Sequence, residues 1–319
     1  MGVRTGAALS RAIVTGAGGQ DGSYLAELLL DRGYEVVGLV RDASLDYPNL
    51  AAVRDRIELV AADLLDQDGL ARLLSQHRPS EVYNLASPSF VPRSWDKPVE
   101  TAEFAAVGVT SLLEAVRTVD DSIRVYQASS SEIFGEPAEW PQTERTPLAP
   151  VTPYGVAKAY GHFIVGSYRR RYGMHASCGI LYNHESPRRP ETFLPSKVAH
   201  AAARREPVSL GDLDAQRDWG YAKDSVEAMW RMLQQDEPDD YVIATGELHS
   251  VAELAEVAYA HVGLDWRELV RVDETLKRGA AELHHLVGDP TKAAVRLGWT
   301  PSVSFEELVG LLVDAQTGS

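Results

Sequence analysis

Ala12-Ile13-Val14-Thr15-Gly16-Ala17-Gly18-Gly19-Gln20-Asp21-Gly22 is the stretch that decides the fold. A short apolar run stops at a glycine cluster, and an amphipathic segment, SYLAELLLDRGY (23–34), follows. A second β-rich run covers Glu35 to Val40. Strand, tight loop, helix, strand is a βαβ unit. Glycines lack a Cβ, so the backbone can turn sharply and approach a phosphate closely. The helix N-terminus behind them offers free N–H groups and the positive end of a dipole to a pyrophosphate. In this context the loop predicts a dinucleotide site.

Outward from this unit the alternation continues. Short apolar runs recur at Ile57 to Ala61, Glu81 to Ala86, Ile123 to Ala128 and Cys178 to Tyr182. Helical patterns separate them at Gly69 to Gln76 and Thr101 to Val119, the latter with apolar i, i+3, i+4 spacing. Strands alternating with helices imply a parallel sheet covered on both faces. The regularity ends near Asn183. Beyond it come a helix from about Lys197 to Arg205, a strand-like run at Tyr241 to Ala244, a helix from about Val251 to Val262, and an amphipathic helix at Phe305 to Ala315.

The composition excludes several classes. The chain has 319 residues and a formal charge of −15, which argues against a nucleic-acid binder. Cys178 stands alone, so neither an internal disulfide nor a cysteine-built zinc site is available. No apolar run is long enough for a membrane-spanning helix. The first ten residues read as a short disordered lead-in rather than a signal peptide. A cytoplasmic protein is expected.

The end of the second strand bears on the cofactor. An acidic residue there suits the ribose hydroxyl of NAD, and an arginine suits the 2′-phosphate of NADP. Here the strand ends Val40-Arg41-Asp42. Arg41 favours NADP; Asp42 leaves NAD as the second choice.

Tyr154 and Lys158 are four residues apart on a helix opened by Pro153, so they share one face. A lysine ammonium beside a phenol is expected to lower the phenol's pKa and make Tyr154 a usable base. Upstream, a strand end carries Ser129-Ser130-Ser131-Glu132. A serine there can hydrogen-bond a substrate oxygen, and a glutamate can move a second proton. Two proton transfers need two groups of different pKa, and the phenol and the carboxylate supply them. His184 could cap a backbone turn, and it is not expected to ligate a metal, because its segment has no second histidine at ligand spacing; no metal site is expected.

TGAGGQDGSYLAELLLDRGYEV (15–36), EVYNLAS (81–87), ASSSEIFGEP (128–137), TPYGVAKAYGH (152–162), LYNHESPRRPETF (181–193), LGDLDAQRDWGYAKDSVEAMWRMLQ (210–234) and GDPTKAAVRLGWTP (288–301) together resemble the GDP-mannose 4,6-dehydratase family. This family lies within the extended short-chain dehydrogenase/reductase superfamily. The resemblance implies an α/β fold: a Rossmann-type doubly wound parallel sheet with a smaller C-terminal substrate-binding domain. Residues 11–183, with 215–248 crossing back, would form the NAD(P)-binding part. Residues 184–214 and 249–316 would form the substrate part.

The resemblance also implies chemistry. Tyr154 takes the sugar 4-hydroxyl proton as the C4 hydride leaves for NADP. Glu132 removes the acidified C5 proton, water leaves from C6, and the hydride returns to C6. Ser130 supports the C4 oxygen and Lys158 completes the catalytic set. Carried over by position, Gly16, Gly19, Gln20, Asp21, Gly22, Arg41, Asp63, Leu64, Leu85, Ala86, Ser89, Lys158, His184 and Arg189 would contact the cofactor. Ser89, Ser130, Glu132, Asn183, Lys197, Arg217 and Arg278 would face the nucleotide sugar. A homodimer or homotetramer is expected, with helix residues Tyr160, Phe163, Ile164 and Val165 as a candidate dimer face.

Some positions depart from the family pattern. It has two consecutive arginines where this chain has Arg41-Asp42, and alanine-glutamine where it has Ser87-Pro88. Its threonine-arginine becomes Pro195-Ser196, and its C-terminal arginine becomes Gly279, with Arg278 one residue earlier. These changes keep open the same chemistry on another nucleotide sugar, such as a GDP-heptose. A reductase or epimerase of a 4-keto sugar nucleotide is the other alternative.

Overall fold

A computed structural model describes residues 10–277, 283 and 285–317. The lead-in through residue 9 and the segment carrying Arg278 and Gly279 lie outside the described residues. The first strands and helices are β1 (Arg11–Thr15), α1 (Gln20–Asp31), β2 (Glu35–Val40), β3 (Glu58–Ala61), α2 (Gln67–His77), β4 (Glu81–Asn84), α3 (Gly108–Val119), β5 (Arg124–Ala128), α4 (Pro153–Tyr172) and β6 (Ala176–Leu181). After β7 (Asn183–Glu185), α5 (Leu194–Arg204), β8 (Val208–Leu210), β9 (Gln216–Arg217), β10 (Trp219–Tyr221) and α6 (Ala222–Leu233), the chain returns to the main sheet as β11 (Tyr241–Ile243). β12 (His249–Ser250), α7 (Val251–His261), β13 (Val270–Val272), α8 (Thr291–Leu297) and α9 (Phe305–Thr317) complete it.

The main sheet has seven strands in the order β11-β6-β5-β4-β1-β2-β3. Every neighbouring pair is parallel. Side chains alternate across it. Ala12, Val14, Tyr83 and Tyr126 pack against α1 and α6, while Ile13, Val82 and Val125 pack against α2 and α3. Both faces are therefore covered, which is why these strands read as continuous apolar runs. The strand order reverses between β1 and β4, and open α/β sheets bind ligands in the crevice above such a point.

The sequence-expected helix at Thr101 to Val119 is in fact interrupted. A helical turn at Pro98–Ala102 passes through a π-helical turn, Glu103–Val107, before α3 begins. The extra residue per turn rephases the chain, and such turns recur at functional sites. A third apolar core joins α5, α7 and α9 with Trp219. It is built from segments far apart in the sequence. The pairings β7 with β10, β8 with β13 and β9 with β12 are two or three residues long. Such runs carry too little periodicity to be read beforehand.

Candidate active site

A cleft of about 780 Å³ opens above the switch point. At its base Gly22 lies against the glycine loop: a Cβ there would collide with the Gly16 carbonyl oxygen and stand 2.7 Å from the Ala17 Cα. Only glycine permits this approach, and the first turn of α1, through Gln20, Asp21 and Gly22, lines the cleft. The free N–H groups of that turn suit a diphosphate. Arg41, at the end of β2, lines the same cleft, with its guanidinium 5.2 Å from the ring centre of Phe104 in the π-helical turn. Asp42 turns away. Its carboxylate accepts hydrogen bonds from the Ser44 backbone N–H (2.9 Å) and hydroxyl (2.6 Å).

A buried chain of side chains forms the floor. Thr15 donates to Asn84 (2.7 Å), Asn84 donates to Gln127 (2.7 Å), and Gln127 donates to the Ala128 carbonyl (2.9 Å). Lys158 donates to that same carbonyl at 3.0 Å. Three strand ends and α4 are thereby tied at one level.

The wall toward β7 joins two distant motifs. Gln20 donates to the His184 carbonyl (3.1 Å) and accepts from Ser186 (2.7 Å). His184 Nε2 meets Asp21 at 2.9 Å, and its Nδ1 meets the Tyr182 carbonyl at 2.7 Å. Burial raises the Asp21 carboxyl, but the His184 imidazole more than reverses it, leaving Asp21 at about 2. Burial lowers His184, and Asp21 overcomes this, so the imidazole is held above its ordinary value. Outside the cleft, Arg188 extends the join to Ser23 (3.0 Å) and Glu27 (2.5 Å).

Tyr154 enters at the start of α4, whose N-cap Thr152 accepts from the Gly155 N–H at 2.9 Å. Gly155 packs on the Glu132 backbone; a Cβ would stand 2.6 Å from that carbonyl oxygen. This contact sets the phenol beside the serine-glutamate turn. Ser130 Oγ accepts from the Glu132 N–H (3.3 Å) and hydrogen-bonds Tyr154. The expectation that Lys158 lowers the phenol pKa is corrected here. Burial pushes Tyr154 up to about 12, the Ser130 hydrogen bond opposes it, and the Glu132 charge adds to the rise. Lys158 Nζ lies 5.6 Å from the Tyr154 ring centre and is itself lowered to about 8 by burial.

The cleft is lined by every residue expected at the cofactor, from Gly16 through Arg189, and by Ser130, Glu132, Tyr154 and Asn183. Two expected residues stand elsewhere. Lys197 donates to the Ser209 carbonyl (2.8 Å), joining α5 to β8. Arg217 donates to the carbonyls of Gln216 (2.7 Å) and Leu283 (2.8 Å). Neither lines the cleft. Leu39, Phe104, Ser129 and Tyr182 line it without having been singled out. The serine run hinted at Ser129; nothing in the local sequence marks Phe104.

The glycine loop on α1, the Ser130–Tyr154–Lys158 group and the switch-point cleft define a member of the extended short-chain dehydrogenase/reductase superfamily. Solved structures share the fold. UDP-glucose 4-epimerase from Thermotoga maritima superposes with a TM-score of 0.87 at 26% identity, covering 96% of this chain and 98% of that one. The Thermus thermophilus UDP-glucose 4-epimerase in complex with NAD gives 0.86 at 29% identity, covering 97% and 99%. The family model "GDP-mannose 4,6 dehydratase" matches residues 13–312. GDP-mannose 4,6 dehydratase 1 of Arabidopsis thaliana is 45% identical over 95% of this chain and 88% of its own length. The human GDP-mannose 4,6 dehydratase is 44% identical over 95% and 90%, and the Vibrio cholerae enzyme 41% over 95% and 92%. This chain belongs to the GDP-mannose 4,6-dehydratase family.

The Asp21–His184 pair carries a pH signature. Its stabilisation is complete between the ordinary aspartate and histidine pKa values. It is lost as pH rises through the elevated pKa of His184, and as pH falls through about 2 at Asp21. In Asp21→Asn, histidine NMR titration should show His184 protonating at lower pH than in the wild type. The stability gap between the two proteins, largest near pH 6, should shrink toward pH 9. An unmoved His184 titration would refute the pairing.

Proposed function

We propose that this chain is a GDP-mannose 4,6-dehydratase that forms GDP-4-keto-6-deoxy-mannose and uses NADP. One observation carries the chemistry: Ser130, Glu132 and Tyr154 stand together in the cleft that begins at the glycine loop. A simple dehydrogenase needs the phenol; the carboxylate adds a second proton-transfer group. The family relationship supplies the sugar nucleotide. On this reading residues 11–183, with 215–248, hold the dinucleotide, and 184–214 with 249–316 take the substrate.

The residues fit the dinucleotide, because the close packing of Gly22 on the Gly16 carbonyl holds the first turn of α1 against the glycine loop, and both line the cleft. Gly16, Gly19 and Gln20 would hold the diphosphate, Arg41 and Asp63 the adenosine, and Lys158 the nicotinamide ribose. When bound, the dinucleotide supplies a reversible hydride acceptor. With its own proton released to solvent once the positive charge of the oxidised dinucleotide faces the phenol, Tyr154 would accept the proton from the 4-hydroxyl, and Ser130 would hold the C4 oxygen. Once C4 is a ketone, Glu132 would take the proton from C5 and give it to the departing 6-hydroxyl; the proton that Tyr154 took from the 4-hydroxyl balances the one C5 regains as C6 becomes a methyl group. Lys158, lowered to about 8 by burial, is held beside the nicotinamide end of the cleft by its bond to the Ala128 carbonyl. The placement of Arg41 in the cleft, with Asp42 bound to Ser44, supports NADP.

Val99 (70% exposed), Val156, Tyr160 and Phe163 (59% exposed) lie on two packed helical segments. They support a homodimer through this face, on which Tyr160 and Phe163 stand as expected; Val165, also expected there, is instead buried in the core beneath the sheet, and Ile164 packs against that core.

Glu132→Gln should lower formation of the 4-keto-6-deoxy product by about 10²–10⁴-fold. It should spare oxidation at C4, so that reduced cofactor accumulates and is read by its absorbance. Unchanged product formation would refute the role of Glu132. Arg41→Ala should weaken NADP⁺ binding about tenfold or more while leaving NAD⁺ binding within about twofold, measured by calorimetry. Equal losses for both would refute the assignment of Arg41 to the 2′-phosphate.

A further inference from the structure

Ser129 follows β5 directly, next to the carbonyl that anchors Lys158. It is 4% exposed and lines the cleft. Its backbone N–H donates to the Gly179 carbonyl of β6 at 2.9 Å, so the residue is held in place. Its hydroxyl is buried and has no hydrogen-bond partner among the described residues. The neighbouring groups are occupied. The Ala128 carbonyl accepts from Gln127 and Lys158, and the Ser130 hydroxyl bonds Tyr154 and Glu132. A buried hydroxyl left unbonded costs free energy, so a serine here lowers the stability of the ligand-free protein relative to alanine.

The direction of the cleft says which part of the ligand reaches it. Arg41 and Phe104 mark one end beyond β2, and the glycine loop marks the middle at β1. The other half of a dinucleotide extends over the ends of β4, β5 and β6, where Ser129 sits. A nicotinamide carboxamide offers both a donor and an acceptor, and a hydroxyl can satisfy either. We propose that the Ser129 hydroxyl hydrogen-bonds the carboxamide of the nicotinamide and sets the ring's orientation in the cleft. Ser129 is then a cofactor-binding residue distinct from the acid-base set. The inference rests on the dinucleotide reading of the cleft.

The test compares two ligands that differ only in the nicotinamide: NADP⁺ and 2′-phospho-ADP-ribose. Both are titrated calorimetrically into the ligand-free full chain, and thermal melts are recorded without ligand. Ser129→Ala should bind NADP⁺ about five- to tenfold more weakly. It should bind 2′-phospho-ADP-ribose as the wild type does, and should melt no lower than the wild type. Ser129→Cys, which keeps the shape and weakens the hydrogen bond, should fall between the two. Tyr126 supplies the control. Its hydroxyl is also buried without a partner among the described residues, yet it lies outside the cleft lining. Tyr126→Phe should leave both affinities unchanged.

Unchanged NADP⁺ affinity in Ser129→Ala would overturn the proposal. So would equal weakening of both ligands, or a lowered melting temperature, which would reveal a bond within the protein instead. A wild type that binds neither compound would bring down the dinucleotide reading itself, an outcome distinct from failure at Ser129 alone.

Discussion

The Ala128 carbonyl oxygen accepts hydrogen bonds from both Gln127 and Lys158, and the site is arranged around that junction. Through Gln127, Asn84 and Thr15 it is tied to the ends of β4 and β1. Through Lys158 it is tied to α4, which also carries Tyr154. Buried polar groups must be bonded, so the side chains of this row hold one another in single orientations. The glycine loop starts at the Thr15 end of the row and the serine-glutamate turn at the Ala128 end. Distance between the two halves of the site is therefore set by a rigid, solvent-free row rather than by loops.

A second tie sets the other wall. Gln20 and Asp21 bond the His184–Ser186 segment, and Arg188 carries the contact along α1 to Glu27. The helix whose first turn lines the cleft is thereby bonded to the segment carrying Asn183 and Arg189, both also in the cleft. Chemistry then follows from burial. Burial pushes Tyr154 up to about 12 and draws Lys158 down to about 8. Converting Tyr154 to a base requires what binding adds, a positive charge or a polarised hydroxyl next to the phenol.

Local features of the chain were readable where local physics governs. The glycine loop, the Tyr154/Lys158 spacing and the strand runs depend on backbone sterics and short periodicities, and all lie where expected. Arg41 and Asp42 are both plausible cofactor contacts by sequence; that a turn at Ser44 holds the Asp42 carboxylate depends on the fold. Phe104 depends on a π-helical turn that no pattern marks. Lys197 and Arg217 carry charges suited to a diphosphate, yet tertiary packing directs each to backbone carbonyls. The Tyr154 pKa was misjudged because spacing shows which residues are neighbours, whereas burial depends on the whole fold.

The central claim is a closed cycle in which the hydride taken from C4 returns at C6 of the same sugar. Incubating GDP-[4-²H]mannose with this protein and catalytic NADP⁺, followed by NMR and mass analysis, tests it most directly. The account predicts a 4-keto-6-deoxy product whose methyl group carries the deuterium, with no net reduction of the cofactor. Deuterated, reduced cofactor formed in step with a 4-keto sugar that keeps its 6-hydroxyl would contradict it.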